Sequence, residues 1–185
     1  MSDPTSALRP AAFFDRDGVL NLDHGYVHAL DRFELVPGAA EAVRLCNAAG
    51  YLVFVVTNQS GVARGLYDEA AVVALHRHMV ATLAALGARI DDIRYCPHHP
   101  DGTVPGYARA CDWRKPGAGM VRDLIGAWRV DPARSFLIGD RPSDLAAAAA
   151  AGVAGHLFPG GDLGTFVRTV LATQRCPAGV GSAGP

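Results

Sequence analysis

Short apolar runs alternate with helical patterns along this chain, and no other feature constrains its fold as much. The runs at residues 11–14, 51–56 and 135–138 are short enough to be strands, and helical patterns follow them. A continuous apolar run is typical of a strand whose two faces are both covered. Strands that alternate with helices predict an α/β fold, in which a parallel sheet carries helices on both faces.

The remaining segments complete this pattern. The expected helices lie at 39–49, about 69–86, about 116–128, 142–151 and 163–173, with weaker strands at 90–95 and 155–158. A long irregular loop at 96–115 precedes the third helix, and loops of that length are usually functional. We expect a leader at 1–10, a single domain at 11–175 and a flexible, Gly/Pro-rich tail at 176–185.

Composition limits the classes to which the chain can belong. Half of its 185 residues are hydrophobic and 19% are charged, which fits one folded domain. A formal net charge of −1 gives no reason to expect binding to nucleic acid or to an anionic membrane. No apolar run has the length of a membrane span and residues 1–10 lack the apolar centre of a signal peptide, so we expect a cytoplasmic protein. Its four cysteines are then expected to be reduced or to bind a metal.

Two carboxylates follow the first apolar run directly. Asp15 ends the run and Asp17 comes two positions later, before Gly18. Anions this close repel each other unless a cation or a shared proton relieves them, and Mg²⁺ prefers such oxygen ligands. One ionised Asp can then act as a nucleophile while the other transfers a proton. Asp-x-Asp-Gly also occurs in solvated turns, so this stretch alone leaves both interpretations open.

Polar residues also end two further predicted strands. Thr57 and Asn58 follow the second strand, Asp140 follows the fourth, and Lys115 precedes a predicted helix. The carboxyl ends of parallel strands meet at one edge of a sheet, where ligands bind in such folds. Carboxylates for Mg²⁺, a hydroxyl and an ammonium group together suit phosphoryl transfer. Taken singly, Thr57 could simply close a strand and Lys115 could be a solvated charge, but their coincidence favours a common site.

The same residues resemble the motifs of the haloacid dehalogenase (HAD) superfamily. The motifs are, in order, Asp15-Arg16-Asp17-Gly18, Thr57, Lys115 and Gly139-Asp140-Arg141-Pro142-Ser143-Asp144. The resemblance covers roughly residues 13–155. It implies a three-layer, Rossmann-like HAD core around a central, mostly parallel sheet.

The resemblance also implies a role for each motif residue. Asp15 would be the nucleophile that forms an aspartyl-phosphate. Asp17 would be the acid for the leaving oxygen and then the base for the attacking water. Thr57 and Lys115 would stabilise the phosphoryl group. Three residues would hold Mg²⁺: Asp15, Asp17 through its backbone carbonyl, and Asp140.

Within the superfamily, three segments resemble the D-glycero-D-manno-heptose 1,7-bisphosphate phosphatases and the related histidinol-phosphatases. These segments are 23–28, 57–65 and 96–100. That family has no large cap domain, and this chain has no segment long enough for one after its first or second strand. Loops would then grip the substrate. The substrate contacts implied are Asp23, His24, Gly25, Tyr26, Asn58, Gln59, Ser60, Arg114 and Arg141.

The chain departs from the family's structural zinc loop at one position. Cys96, His98 and Cys111 match ligands of that loop, but Trp113 stands where a fourth ligand, a cysteine, is expected. Structural zinc normally has four closed ligands. His99 or a water could complete the site, or the residues could be an unmetallated part of the loop.

The resemblance favours a Mg²⁺-dependent phosphatase that hydrolyses a sugar phosphate, with the 7-phosphate of D-glycero-D-manno-heptose 1,7-bisphosphate as the leading substrate. The alternatives within the same mechanism are hydrolysis of histidinol phosphate or of another small-molecule phosphate monoester. A receiver-like domain that stores phospho-Asp is an alternative from another class, and Asp17 argues against it because a second acid is needed for turnover. The expected partner is a small phosphorylated molecule, with no nucleic acid, no membrane and a monomeric state.

Overall fold

The computed structural model describes residues 7–175, and its centre is a five-stranded sheet in which every strand runs parallel. The strands are β1 (Ala11–Phe14), β2 (Leu52–Asn58), β3 (Asp92–Cys96), β4 (Phe136–Gly139) and β5 (Ala154–Leu157). Their spatial order is β3-β2-β1-β4-β5. Parallel strands need crossover connections, and the helices supply them.

Strand β1 lies at the point where the order of the sheet reverses. The chain builds β2 and β3 outward on one side of β1 and then returns to build β4 and β5 on the other. Phe14 pairs with Val55 of β2 and with Ile138 of β4, so the three strands end side by side. A reversal of this kind opens a crevice beyond the carboxyl ends of the strands, which is the usual ligand site in open α/β sheets.

The connections contain five helices. They are α1 (Ala39–Ala48), α2 (Glu69–Ala85), α3 (Gly119–Trp128), α4 (Pro142–Ala150) and α5 (Leu163–Arg175), with short 3₁₀ turns at Leu30–Arg32 and Pro132–Arg134. As expected, Asp68 caps α2, and its carboxylate accepts a hydrogen bond of 2.8 Å from the Ala71 N–H. Within residues 7–175, no helix is both long and apolar enough to span a membrane.

The helices cover both faces of the sheet. Side chains of a strand alternate between faces, and in β1 Ala12 and Phe14 join the core under α1, α2 and α5, whereas Ala11 and Phe13 join the core under α3 and α4. All four β1 residues are fully buried. Burying one such phenylalanine contributes about 1.5–3 kcal/mol, so β1 is anchored firmly from both sides. This confirms the predicted three-layer α/β class.

Two of the boundaries that differ from the sequence-based expectation bear on the site. Strand β2 continues through Asn58, which pairs with Cys96 of β3. Helix α3 begins at Gly119 rather than near Pro116, because the Gly117 N–H turns back to the Arg114 carbonyl at 2.7 Å. The prediction that Lys115 lies directly beside a helix start is therefore wrong.

The proposed domain bounds stay a prediction. Arg9, inside the expected leader, exchanges backbone hydrogen bonds with Arg129 and Asp131. The expected tail at 176–185 lies outside the described residues. Between β1 and α5 no connection forms a separate cap domain in the part of the chain that the structure describes.

Candidate active site

A polar cavity of about 460 Å³ lies beyond the carboxyl ends of β1, β2 and β4. Most of the predicted site residues line it: Asp15, Asp17, Asp23, Gly25, Tyr26, Thr57, Asn58, Ser60, Arg114, Lys115 and Arg141. They come from segments that are far apart in the sequence. The parallel strands bring them together, as the sequence predicted.

The centre of the cavity is an ammonium group between two carboxylates. Lys115 Nζ lies 2.9 Å from Asp15 Oδ1 and 2.6 Å from Asp144 Oδ1, and it donates to the Val56 carbonyl at 2.8 Å. An ammonium has three donors, and all three have an acceptor here. Lys115 is the only lysine in the sequence, whose other basic side chains are arginines and histidines. This site requires the compact charge that a planar guanidinium cannot provide.

Burial and these charges shift the pKa values of the group. Burial raises the pKa of Asp15 to about 6, with the ammonium of Lys115 opposing this and the Asp144 carboxylate adding to it. Burial alone would lower the pKa of Lys115, but the carboxylates of Asp15 and Asp144 outweigh it and raise that pKa. The ammonium of Lys115 therefore stays charged at neutral pH, and the pKa of the Asp15 carboxyl lies close to neutral pH.

The carboxylates fit a hard divalent cation. Asp15, Asp140 and Asp144 each place a carboxylate oxygen within 4.8 Å of the others. Asp140 Oδ1 is buried and has no hydrogen-bond partner, and burial raises the pKa of Asp140. A buried, unpartnered carboxylate oxygen costs free energy unless a ligand engages it. A side chain at Gly18 would collide with the Asp140 carboxylate, so the glycine lets the two motifs approach. Mg²⁺ suits this oxygen set.

The carboxylate of Asp17 is held from three directions. Arg16, which is fully buried, donates to both Asp17 oxygens at 2.8–3.2 Å. The Asn21 amide donates to Oδ1 at 3.0 Å, and the Gln59 amide donates to Oδ2 at 3.0 Å. Asp17 therefore faces the cavity in a fixed orientation, whereas an isolated aspartate at a turn would rotate freely.

Hydrogen bonds also fix the end of β2 and the loop that carries Lys115 relative to each other. The Asn58 side chain donates to the Lys115 carbonyl and accepts from the Lys115 N–H, both at 3.0 Å. At the mouth of the cavity, Arg141 lies 3.1 Å from the Asp23 carboxylate. Burial lowers the pKa of Arg114, which also lines the cavity.

Two predicted substrate contacts do not line the cavity. His24 is exposed and lies 3.8 Å from Glu34. Gln59 is 1% exposed, and its side chain lies behind Asp17 and Thr57. Spacing alone could not separate these two from Gly25 and Ser60, their neighbours in the sequence, which do line the cavity.

A second cluster lies in the loop between β3 and α3. Cys96, His98 and Cys111 bring ligand atoms within 4.8 Å of one another. His99 does not join them, because its Nδ1 accepts from the Asp101 N–H at 3.0 Å and its Nε2 lies 3.3 Å from Arg64. One alternative for completing a four-ligand zinc site is thus wrong: His99 is engaged elsewhere. The residues present fit at most three protein ligands.

Sequence reasoning missed three residues that organise the site. Arg16 lies between the two motif aspartates, His76 Nε2 lies 3.3 Å from Arg16 Nη1, and the Tyr67 hydroxyl donates to Gln59 at 2.9 Å. Burial and the Arg16 charge lower the pKa of His76 to about 3, so its neutral ring can accept from Arg16. The signal for Arg16 was present, since a cation between two functional acids is an unusual choice. Nothing in the sequence pointed to Tyr67 or His76.

Comparisons with known proteins point to one family. A family model described as HAD-hydrolase-like matches residues 112–171. D-glycero-beta-D-manno-heptose-1,7-bisphosphate 7-phosphatase of Rhodopseudomonas palustris is 56% identical over 88% of this chain and 91% of its own. The protein of the same name from Escherichia coli K12 is 45% identical over 78% and 75%. A crystal structure of D,D-heptose 1,7-bisphosphate phosphatase from B. bronchiseptica, complexed with magnesium and phosphate, superimposes with a TM-score of 0.78 at 36% identity, covering 88% and 98%.

Proposed function

The chain belongs to the family of D-glycero-β-D-manno-heptose-1,7-bisphosphate 7-phosphatases in the HAD superfamily, and on that premise we propose how its own residues act. It is a Mg²⁺-dependent phosphoric monoester hydrolase. We propose that it removes the 7-phosphate of the heptose bisphosphate through an aspartyl-phosphate on Asp15. The observation that carries this proposal is the ammonium of Lys115 held between Asp15 and Asp144.

Asp15 is the nucleophile in this proposal. Its Oδ1 is engaged by Lys115 and by the Arg16 N–H at 2.7 Å, which leaves Oδ2 to attack phosphorus. Attack forms the Asp15 O–P bond as the bond to the sugar oxygen breaks. Asp15, Asp140 and the Asp17 carbonyl would hold Mg²⁺, which when bound supplies charge neutralisation for the phosphoryl oxygens. A phosphoryl oxygen would compete with Asp15 for one Lys115 donor.

Asp17 transfers the proton in both halves of the reaction. Its carboxyl group gives a proton to the departing sugar oxygen, which leaves as an alcohol. The resulting carboxylate then takes a proton from the water that attacks the phosphoryl group on Asp15, and this releases inorganic phosphate and restores both residues. The Thr57 hydroxyl donates to a phosphoryl oxygen throughout.

Arginines near the cavity favour a substrate with a second phosphate. Arg114 lines the cavity, and Arg64 is close enough to lower the pKa of Arg114 further. Among the described residues, no carboxylate forms an ion pair with either arginine, and Arg64 Nε has no partner. Two guanidinium groups without a carboxylate partner suit a phosphate, which accepts bidentate hydrogen bonds.

Phosphate release from purified protein tests the proposal. We expect rapid, Mg²⁺-dependent release from D-glycero-β-D-manno-heptose 1,7-bisphosphate, and phosphorus NMR should show that the 1-phosphate remains on the sugar. Histidinol phosphate and a generic phosphate ester are the matched comparisons. A kcat/KM for the bisphosphate no higher than for those two esters would contradict the substrate assignment. Size-exclusion chromatography with light scattering tests the accompanying proposal that the protein is a monomer.

We also propose that Cys96, His98 and Cys111 bind Zn²⁺ with three protein ligands and leave its fourth position to water. The support is the convergence of two thiols and an imidazole, the ligand types that zinc prefers. Burial raises the pKa of the Cys96 thiol to about 12, so zinc binding would release a proton there.

A further inference from the structure

A single buried amide, that of Gln59, connects Asp17, which lies beyond the end of β1, with Thr57 near the end of β2. Gln59 Nε2 donates to Asp17 Oδ2 at 3.0 Å and to Thr57 Oγ1 at 2.8 Å. Gln59 is 1% exposed and does not line the cavity. Gln59 therefore donates both amide hydrogens to residues that contact the substrate in the proposed mechanism.

Tyr67 fixes which way this amide points. The Tyr67 hydroxyl donates to Gln59 Oε1 at 2.9 Å, so the amide oxygen faces Tyr67 and the amide nitrogen must face Asp17 and Thr57. Burial raises the pKa of Tyr67 to about 12, which keeps it a donor at neutral pH. Its ring lies against Gly61, where any side chain would collide with it, and it stacks on His28 with centroids 4.7 Å apart.

This orientation has a consequence for the Thr57 hydroxyl. A hydroxyl has one donor and two acceptor positions. Because Gln59 already donates to Thr57 Oγ1, the hydroxyl hydrogen of Thr57 must point elsewhere. The cavity that Thr57 lines is the remaining direction in which a phosphoryl oxygen can accept it.

The same amide also fixes Asp17. Gln59 supplies one of the two contacts of Asp17 Oδ2, the other being Arg16, while Arg16 and Asn21 hold Oδ1, so loss of Gln59 would let Oδ2 shift toward Arg16. A general acid must stand within hydrogen-bond reach of the leaving oxygen, and small misplacements cost rate.

We propose that Gln59, held by Tyr67, is a positioning residue that aligns the Asp17 carboxyl for proton transfer and turns the Thr57 hydroxyl toward the phosphoryl group. Gln59 itself gives and takes no proton. The inference rests on the proposed function, because it assumes that Asp17 protonates the leaving oxygen.

Leaving-group dependence tests the inference. The alkoxide of a sugar needs a proton to leave, whereas p-nitrophenolate leaves without one. We expect Gln59→Met to lower kcat/KM, which reports the steps up to formation of the aspartyl-phosphate, by about 10–10²-fold for the heptose bisphosphate, a part of the usual general acid contribution. We expect a clearly smaller loss of kcat/KM for p-nitrophenyl phosphate, because its leaving group needs no proton in that step. Tyr67→Phe should change the ratio of the two rates in the same direction by a smaller factor.

Tyr95→Phe is the matched control, because it removes a hydroxyl that donates to Glu69 at 2.6 Å and touches neither Asp17 nor Gln59. It should leave the ratio unchanged. Equal loss on both esters in Gln59→Met would overturn the inference. If that variant does not fold, Tyr67→Phe decides, and an unchanged ratio there would overturn it as well. Failure of the proposed function looks different, since the wild-type protein would then not prefer the heptose bisphosphate.

Discussion

Two groups of residues differ in what holds them in place. The strand-end site contains Asp15, Thr57 and Lys115, and the Cys-His-Cys cluster contains Cys96, His98 and Cys111. Asp15, Thr57 and Lys115 are 7%, 1% and 3% exposed, and each lies at or against the end of a buried strand. His98 and Cys111 lie in an irregular loop and are partly exposed. A sheet fixes its strand ends regardless of the ligand, whereas a loop depends on its local contacts.

The loop has several such contacts of its own. The N–H groups of Thr103 and Val104 donate to the Ala63 carbonyl at 2.7 and 2.9 Å, and the His99 N–H donates to the Tyr107 carbonyl. Trp113 packs beside Gly119, where a side chain would collide with the indole. These contacts hold the loop through its own backbone and through Trp113. The comparison teaches that the strand-end residues have little freedom to change and the loop cluster has more.

Substitution of the nucleophile should have the largest effect. Asp15→Asn removes the attacking oxygen, and knocking out a nucleophile elsewhere costs on the order of 10⁶-fold in kcat. We expect a loss of that order with the fold intact, because Asp15 follows β1 rather than supporting it. Phosphate release and circular dichroism measure the two effects. Asp31→Asn, at an exposed acid outside the cavity, is the control and should remain active.

Substitution of the second aspartate should cost less. Asp17→Asn removes proton transfer but leaves the nucleophile, so we expect a loss of about 10²–10⁴-fold in kcat for the sugar phosphate. Turnover of the same order as wild type would show that another group transfers the proton.

Removing the single lysine should affect stability as well as activity. Lys115→Met leaves the carboxylates of Asp15 and Asp144 buried without their cation, and breaking a buried ion pair costs about 3–5 kcal/mol. We expect a loss of this size in the free energy of unfolding without Mg²⁺, measured by urea denaturation. Arg168→Met, at an exposed arginine that pairs with Glu41, should cost far less.

Magnesium binding should depend on pH through Asp15. Burial raises the pKa of this carboxyl to about 6, and Mg²⁺ binds its ionised form. Apparent Mg²⁺ affinity should therefore fall by about tenfold per pH unit below 6 and level off above it. The stability of the metal-free protein should change with pH in the opposite direction. The folded state holds the Asp15 proton more tightly than the unfolded state does, so the contribution of Asp15 to stability is lost as the pH rises through 6. Titration calorimetry and thermal melts from about pH 4 to 7 would measure both, across the range between the ordinary carboxyl pKa of 3.8 and the raised value of about 6.

The loop cluster should show the smallest effect on turnover. Cys111→Ser removes one of three ligands, so we expect bound zinc to fall sharply in protein purified without chelator, while kcat changes by less than about tenfold. Trp113→Cys should instead tighten zinc by closing the fourth position. Zinc absent from both wild type and Trp113→Cys would show that the cluster is not a zinc site, and a collapse of kcat in Cys111→Ser would erase the contrast between the two regions.

The contrast also explains what the sequence could reveal. The α/β class and the convergence of Asp15, Thr57 and Asp140 followed from apolar runs that end in polar residues, because a parallel sheet brings such ends together. The buried residues that hold these side chains in place were not predicted from the sequence. His76 and Tyr67 act through contacts with residues that are not their sequence neighbours, which no local pattern encodes, whereas the position of Arg16 between the two aspartates was a signal in the sequence.

Loop residues were harder to assign than strand ends. His24 and Gln59 were expected to contact the substrate because their sequence neighbours match a family motif. One turns outward to Glu34 and the other inward to Asp17, since side-chain direction in a turn depends on tertiary contacts. The start of α3 moved for a similar reason, because Asn58 holds the backbone at Lys115 in a loop conformation.

Trapping the phosphorylated enzyme tests the central claim most directly. Asp17→Asn protein mixed with Mg²⁺ and p-nitrophenyl phosphate, whose leaving group needs no proton, then quenched in acid and digested, should yield one phosphopeptide, and it should contain Asp15. Borohydride reduction of the acyl phosphate should mark that residue, and Asp15→Asn in the same background should yield none. A phosphoryl group on a peptide without Asp15, or an Asp15→Asn enzyme that still turns over normally, would contradict the account.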